Sequence, residues 1–265
     1  MNKVLILLSV IVFTVSCNQD IDLKLPPYQS KIVVECYLID GLPMICSLQE
    51  SELYTAPFGV NLINDAEVVI SHNGINDTLA NISFFSTLLG ITFNYTSLNL
   101  LQVDYNSEYT LTIKDKKGRT VTGKTMILPP VPIDTLFTIK NEKNQYAINF
   151  TITDPPEARN FYRHVSQRPR LNERRITDFT VEDQLFNGQK FNFFTFGNPY
   201  EAGDTVVTAL YNVNEDYFNY IRSVGGAIRS NLNPFAQTSS IQSNVNGGVG
   251  IFTSLNADVQ INIIR

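Results

Sequence analysis

The chain holds no tryptophan, two histidines and three cysteines among its 265 residues. Each scarcity closes a route. His72 adjoins Asn73-Gly74 and His164 lies in an arginine-rich stretch, and neither has a second His or Cys at ligand spacing, which argues against a zinc centre. A Ser-His-Asp triad would need one of the same two rings, and no G-x-S-x-G elbow occurs. The expectation is therefore no metal residues, no catalytic residues and no cofactor. Charged residues are only 17% and the net charge is −5, so the broad basic face that a nucleic acid would require is missing. Without tryptophan, Phe191, Phe193, Phe194 and Phe196 with Tyr200 read as core packing rather than a sugar-stacking platform. Beyond residue 16 no apolar run approaches the ~20 residues of a membrane-spanning helix.

What the chain does have begins with a leader. Lys3 supplies a positive start, Val4 to Val15 is apolar or small, and Ser16 is a small residue before a cut. Met1 to Ser16 thus reads as a signal peptide, too short to stay in a bilayer as a spanning helix. Thr14-Val15-Ser16-Cys17 resembles a lipobox, which predicts cleavage before Cys17 and acylation of its thiol. Residues 17–30 then form a polar, acidic tether. An ordinary secreted protein is the alternative.

Tyr and Phe are plentiful, and Val, Ile and Thr recur in alternating runs, a composition that favours strands. The predicted fold is mainly β: an immunoglobulin-like β-sandwich over 31–128, a Pro-rich linker over 129–132, and a second β-rich domain over 133–265 with one packed helix near 214–230. Turns at Asp40-Gly41-Leu42, Asn73-Gly74 and Lys117-Gly118 punctuate the first half. Leu128-Pro129-Pro130-Val131-Pro132 cannot feed a central ladder, which places the boundary there. In the second half, Tyr146 to Ile152 alternates, Leu185-Phe186 and Phe191 to Phe196 flank Asn187-Gly188, and Thr205 to Tyr211 and Leu255 to Ile263 follow as strands. Tyr217, Ile221, Val224 and Ile228 instead recur at helical spacing, with Asn214 placed as the cap and Gly225-Gly226 as an early end.

A three-residue loop at Asp40-Gly41-Leu42 would set Cys36 opposite Cys46 and Val34 opposite Leu48. Export makes a disulfide between the two cysteines plausible, and two small buried hydrophobes side by side is the other reading. Arg163, Arg168, Arg170, Arg174 and Arg175 concentrate guanidinium groups suited to an anion or an acidic partner, or to local ion pairs on a solvated strand and loop. Glu182, Asp183 and Asp204 are the carboxylates a glycosidase-like pair would draw on, with a solvated surface as the plainer reading. Gly247, Gly248 and Gly250 suggest a phosphate cradle, but no Lys-Ser or Lys-Thr follows, so a tight turn or close backbone approach is expected.

The order of features resembles one family, the Bacteroidetes lipoproteins catalogued as domain of unknown function 4249. The resemblance rests on the leader with Cys17, on Lys31 to Glu35 with Asp40-Gly41, and on Asn64-Asp65-Ala66-Glu67-Val68-Val69-Ile70. It continues through Leu128-Pro129-Pro130, Ile133-Asp134-Thr135-Leu136, Thr153-Asp154-Pro155, Asn160-Phe161-Tyr162-Arg163 and Gly203-Asp204-Thr205-Val206. Asn233-Pro234-Phe235 and the run from Ser243 to Phe252 complete it. The resemblance implies an outer-membrane lipoprotein found beside a TonB-dependent transporter, and it carries over no catalytic residues. Asp77-Thr78, Asp134-Thr135 and Asp204-Thr205 also resemble the short acceptor pattern of Bacteroidetes O-glycosylation, which would modify Thr78, Thr135 and Thr205. The leading expectation is a non-enzymatic lipoprotein that binds a ligand or partner. A surface hydrolase of glycan or peptide using carboxylates, and a structural envelope or assembly factor, are the alternatives.

Overall fold

A computed structural model describes residues 28–53, 59–86, 89–169, 175–195, 197, 199–233 and 239–265. The leader, Cys17, Arg170, Arg174 and Phe196 lie outside the described residues. The first half supplies β1 (Ile32–Leu38), β2 (Pro43–Glu50), β3 (Glu67–His72), β4 (Ile75–Thr78), β5 (Ala80–Ser86), β6 (Ile91–Leu100), β7 (Glu108–Lys114) and β8 (Thr120–Met126). Next come β9 (Ile133–Lys140), β10 (Tyr146–Thr153), β11 (Phe161–Gln167), β12 (Thr177–Glu182), β13 (Lys190–Phe193) and β14 (Thr205–Val213). The helix α1 (Glu215–Leu232) precedes β15 (Val245–Asn246), β16 (Val249–Ser254) and β17 (Asn256–Ile263). The chain is mainly β with several sheets and, among the described residues, a single α-helix.

Two sheets, ordered β16-β1-β2-β6-β5 and β15-β8-β7-β3-β4, make the first sandwich. Every second residue of β1 points inward, so Ile32, Val34, Cys36 and Leu38 meet Val68, Leu111, Ile113 and Val121 of the facing sheet. Cys36 and Cys46 are direct register partners and are joined by a disulfide. Val34 lies opposite Leu48 in the same ladder.

The C-terminal part of the chain returns to this sandwich. β16 runs parallel to β1, with Val34 beside Gly250, and β15 pairs with β8. Alternation alone marks these segments as strands without saying which sheet receives them, so grouping all of 133–265 as one body puts them with the wrong neighbours. Gly250 explains the close fit: its φ is +136°, and a Cβ there would stand 1.9 Å from the Val34 carbonyl oxygen. Gly247 meets the Thr120 carbonyl oxygen in the same way, at 2.2 Å. The glycine run is thus a site of backbone contact, and its glycines face carbonyl oxygens.

The second sandwich sets β13-β10-β9 against β12-β11-β14-β17 around Phe150, Ile152, Tyr162, Phe193 and Leu210. The Pro-rich segment between the halves is pinned: Ile127 is buried in the first core and Val131 in the second. Asn212 Nδ2 donates to the Pro129 carbonyl and Asn256 Nδ2 to that of Leu128.

α1 covers the outer face of β1, β6 and β16. Tyr217, Phe218 and Tyr220 pack on Tyr37, Phe93 and Ile251, and Phe161 and Val213 of the second sandwich join the same cluster. β1 is therefore buried on both faces. Asn214 occupies the cap position, but its amide donates to the Met126 carbonyl instead of capping the helix, and Gly225-Gly226 do not end it. Leu185 belongs to a 3-10 turn (Asp183–Leu185) rather than to a strand before Asn187-Gly188.

Candidate functional site

At the seam between the halves, the start of α1 overhangs the outer face of β7 and β8. There Thr110 pairs with Lys124 and Thr112 with Thr122, all on the outward side because Leu111 and Val121 take the inward one. Asn244 and Asn246 extend the wall past the two-residue β15, and Asp216 of α1 closes it. The hollow measures about 520 Å³. A second hollow of about 300 Å³ shares Lys124 and Asp216 and continues to Glu108 and Glu215. Lys124 Nζ donates to Glu108 Oε1 at 2.8 Å, so the one cation of this wall is locally paired. Asn244 is a built-in brace, donating to the Phe252 carbonyl at 2.8 Å and accepting from its N–H at 2.9 Å. Short hydroxyl, amide and carboxylate groups at strand spacing offer both donors and acceptors to a polar ligand.

The arginine-rich stretch goes to internal carboxylates where it is described. Arg163 is 7% exposed and meets Asp178 through two parallel bonds, Nε to Oδ1 at 2.8 Å and Nη2 to Oδ2 at 2.7 Å. Its remaining arm donates to the Tyr217 hydroxyl, tying β11 to α1. Arg175 joins the same carboxylate at 2.9 Å. Asp178 stays below the usual carboxylate range because these guanidinium groups outweigh the opposing effect of its burial. Arg168 donates to Asp204 at 2.8 Å and to the Pro199 carbonyl, over the ring of Tyr200.

Glu182, Asp183 and Asp204 are each bound locally rather than gathered together. Glu182 pairs with Arg159, Asp183 accepts the Asn160 N–H, and Asp204 accepts from Arg168 and the Glu201 N–H. Thr78 and Thr135 are exposed, whereas Thr205 is half-buried in β14. Phe191 and Phe193 meet edge to face against the second core, ring centroids 5.0 Å apart, and Phe194 alone of that described group is exposed, at 58%.

His72 lies flat on Tyr109, ring centroids 4.0 Å apart, and its Nδ1 donates to the Glu108 carbonyl at 3.1 Å. His164 is wholly buried between Phe150 and Phe179, and neither ring nitrogen has a partner among the described residues. Burial pushes its pKa down to about 4, against the smaller, raising effect of the Asp178 charge. Among the described residues no group of three His, Cys, Asp or Glu side chains is arranged to hold a metal.

One constellation escapes sequence reasoning. Glu35 sits on the α1 side of β1, where Tyr37 donates to it at 2.8 Å and Tyr220 from the helix also reaches it. Burial raises its pKa against the lowering effect of these two hydroxyls. The only trace in the sequence is a carboxylate alternating with Val34 and Cys36, which places it on the opposite face without saying that the face is covered.

A family model described as Domain of unknown function (DUF4249) matches residues 18–261. The chain belongs to that family. No curated protein matches it. Among solved structures the DUF4249 chain is similar to a cytokine receptor complex (crystal form 1A), at 11% identity and TM-score 0.27, covering 70% of this chain and 86% of that one. It is also similar to the FN1-FN3 domains of chicken CNTN1, at 9% identity and TM-score 0.28, covering 91% and 68%. A DUF4785 family protein from Legionella pneumophila matches at 14% identity and TM-score 0.25, covering 68% and 52%.

Proposed function

We propose that this protein is an exported, non-enzymatic lipoprotein, held at the outer membrane by acylated Cys17, that binds a polar ligand beside a TonB-dependent transporter. The leader and Thr14-Val15-Ser16-Cys17 support the anchor. The DUF4249 membership, joined to the resemblance to Bacteroidetes lipoproteins, supports the transporter as neighbour. The observation that carries the binding role is the open trough where α1 overhangs β7 and β8, walled by Thr110, Thr112, Thr122 and Asn246. Its size falls within the ~300–1,000 Å³ of small-molecule sites. Its carboxylates Glu108, Glu215 and Asp216 against Lys124 favour a neutral or cationic ligand over an anion.

The test is extraction of the outer membrane in mild detergent followed by capture of this protein. A TonB-dependent transporter should co-purify, and Thr112→Val with Thr122→Val should lower uptake of that transporter's cargo while leaving the complex intact. Recovery of no transporter under several growth conditions overturns the accessory role. Unchanged detergent partitioning of Cys17→Ala overturns the anchor.

A further inference from the structure

The core of the first sandwich opens to solvent beside β4. Ile70 of β3 pairs with Asp77 of β4, and His72 pairs with Ile75. Ile70 points into the core, so the other three side chains share the inward face of the sheet. β4 is the outermost strand, and Ile75 is 68% exposed although it points inward, so the face is uncovered at that height. On the facing sheet Leu100 of β6 is exposed as well. Between them lies a hollow of about 150 Å³. Its floor is the core itself, since Met44, Ile70, Leu101 and Tyr109 line it and all four are buried. Leu101 is held there by backbone hydrogen bonds with Gly41 and Leu42.

The walls carry charge of one sign. Asp77 lines the hollow half-buried, and its carboxylate has no hydrogen bond or ion pair among the described residues. No lysine or arginine lines the hollow with it. Both nitrogens of His72 are engaged, Nδ1 by the Glu108 carbonyl and Nε2 by the Asn73 amide and the Asp104 carboxylate. Neither is left for an anion, and Asp104 adds a second negative group close by. One carboxylate over an apolar floor supplies too few oxygens for a metal ion. An apolar cavity of ~150 Å³ is, however, large enough to hold benzene. An inward charge on an edge strand also keeps other strands away, but such a guard needs no hollow beneath it.

We propose that this end of the first sandwich binds a small organic cation, an ammonium group on an apolar body the size of a benzene ring. The body rests on Met44, Ile70, Leu101 and Tyr109, and the charge meets Asp77. The trough lies on the opposite face of the same sheet, because Thr110 and Thr112 point outward from β7 while Tyr109 and Leu111 point inward. The two sites therefore stand or fall separately.

The probe is benzylammonium, titrated into the isotope-labelled full chain and followed by amide NMR, with benzyl alcohol and benzoate as its neutral and anionic counterparts. Benzylammonium should shift the amides of Ile70, Asp77, Leu101 and Tyr109 and bind more tightly than benzyl alcohol, with benzoate the weakest. Asp77→Asn should lower the affinity for benzylammonium about fivefold, the worth of one partly exposed ion pair, and leave that for benzyl alcohol unchanged. Equal affinity of the wild type for benzylammonium and benzyl alcohol overturns the proposal, as does the absence of any saturable shift. Shifts confined to Thr112, Thr122 and Asn246 overturn it too, because they put the cation in the trough. Self-association of Asp77→Asn with unchanged affinity for benzylammonium also overturns it and leaves Asp77 a guard of the β4 edge alone.

Discussion

His164 and Glu35 are both ionisable groups held in apolar surroundings, and they pull stability in opposite directions. His164 has a folded pKa of about 4 against an ordinary 6.5, so the unfolded chain takes up a proton first as pH falls. Its contribution is complete above pH 6.5 and is lost on the way down to pH 4, by up to ~3 kcal/mol from ~1.36 kcal/mol per pKa unit. Glu35 has a raised folded pKa, so its ionisation costs stability and that cost is relieved as pH falls through its folded value. Glu50, lowered to about 2 chiefly by its bond to Arg119, adds acid sensitivity only below pH 4.5. Urea midpoints between pH 7 and 4.5 separate the terms. His164→Leu should flatten the acid loss, and Glu35→Gln should steepen it while raising stability at neutral pH. An identical pH profile for His164→Leu and the wild type would refute the buried-histidine account.

At the scale of the element, β1 depends on its two neighbours in the sheet, β2 and β16. On one side the disulfide ties it to β2 across a short loop, ten residues apart in sequence. Loop closure of that length is worth about 2–3 kcal/mol, so Cys36→Ser or added reductant should lower stability by that amount in equilibrium unfolding. On the other side Gly250→Ala would drive a methyl into the Val34 backbone, whose carbonyl oxygen would stand 1.9 Å away and cannot swing aside as a side chain could. The expected cost is about 3 kcal/mol or more, with loss of soluble protein as the readout. These two features were unequally legible. The disulfide register follows from one turn and the alternation around it, both local. The parallel pairing of β16 with β1 joins segments some two hundred residues apart and has no turn to announce it. β5 and β6 were legible but unread: Ile91, Phe93 and Tyr95 alternate with Thr92, Asn94 and Thr96, and Ala80, Ile82 and Phe84 with Asn81 and Ser83, the period of a strand. The second Asn-Gly pair pointed to a hairpin, yet the turn follows a 3-10 segment because Asp183 bonds the Asn160 N–H and turns the chain early. The trough was invisible in the sequence, since Thr112, Asn246 and Asp216 meet only after α1 and β15 cross the first sandwich.

For the whole molecule, the question is whether the two sandwiches behave as one body. α1 is the element they share: Tyr37, Phe93 and Ile251 of the first and Phe161 and Val213 of the second pack on it. The polar clamp beneath it runs from Asp178 through Arg163 to the Tyr217 hydroxyl. Removing one member of such a pair strands a buried charge, which costs ~3–5 kcal/mol when both groups are fully enclosed. Asp178 is about 30% exposed in its side chain, so Asp178→Ala should cost less, about 2–3 kcal/mol. Arg163→Met with Asp178→Leu removes both charges and should recover most of that loss. The more telling readout is cooperativity. The wild type should unfold in one calorimetric transition because α1 belongs to both cores, and Asp178→Ala should split it by freeing the second sandwich to melt first. Since Asp216 and Glu215 are carried on the same helix, a split transition should also be accompanied by weaker ligand retention in the trough, although Asp178 does not line it. A single sharpened transition in Asp178→Ala would show that the shared apolar cluster couples the halves without help from the clamp.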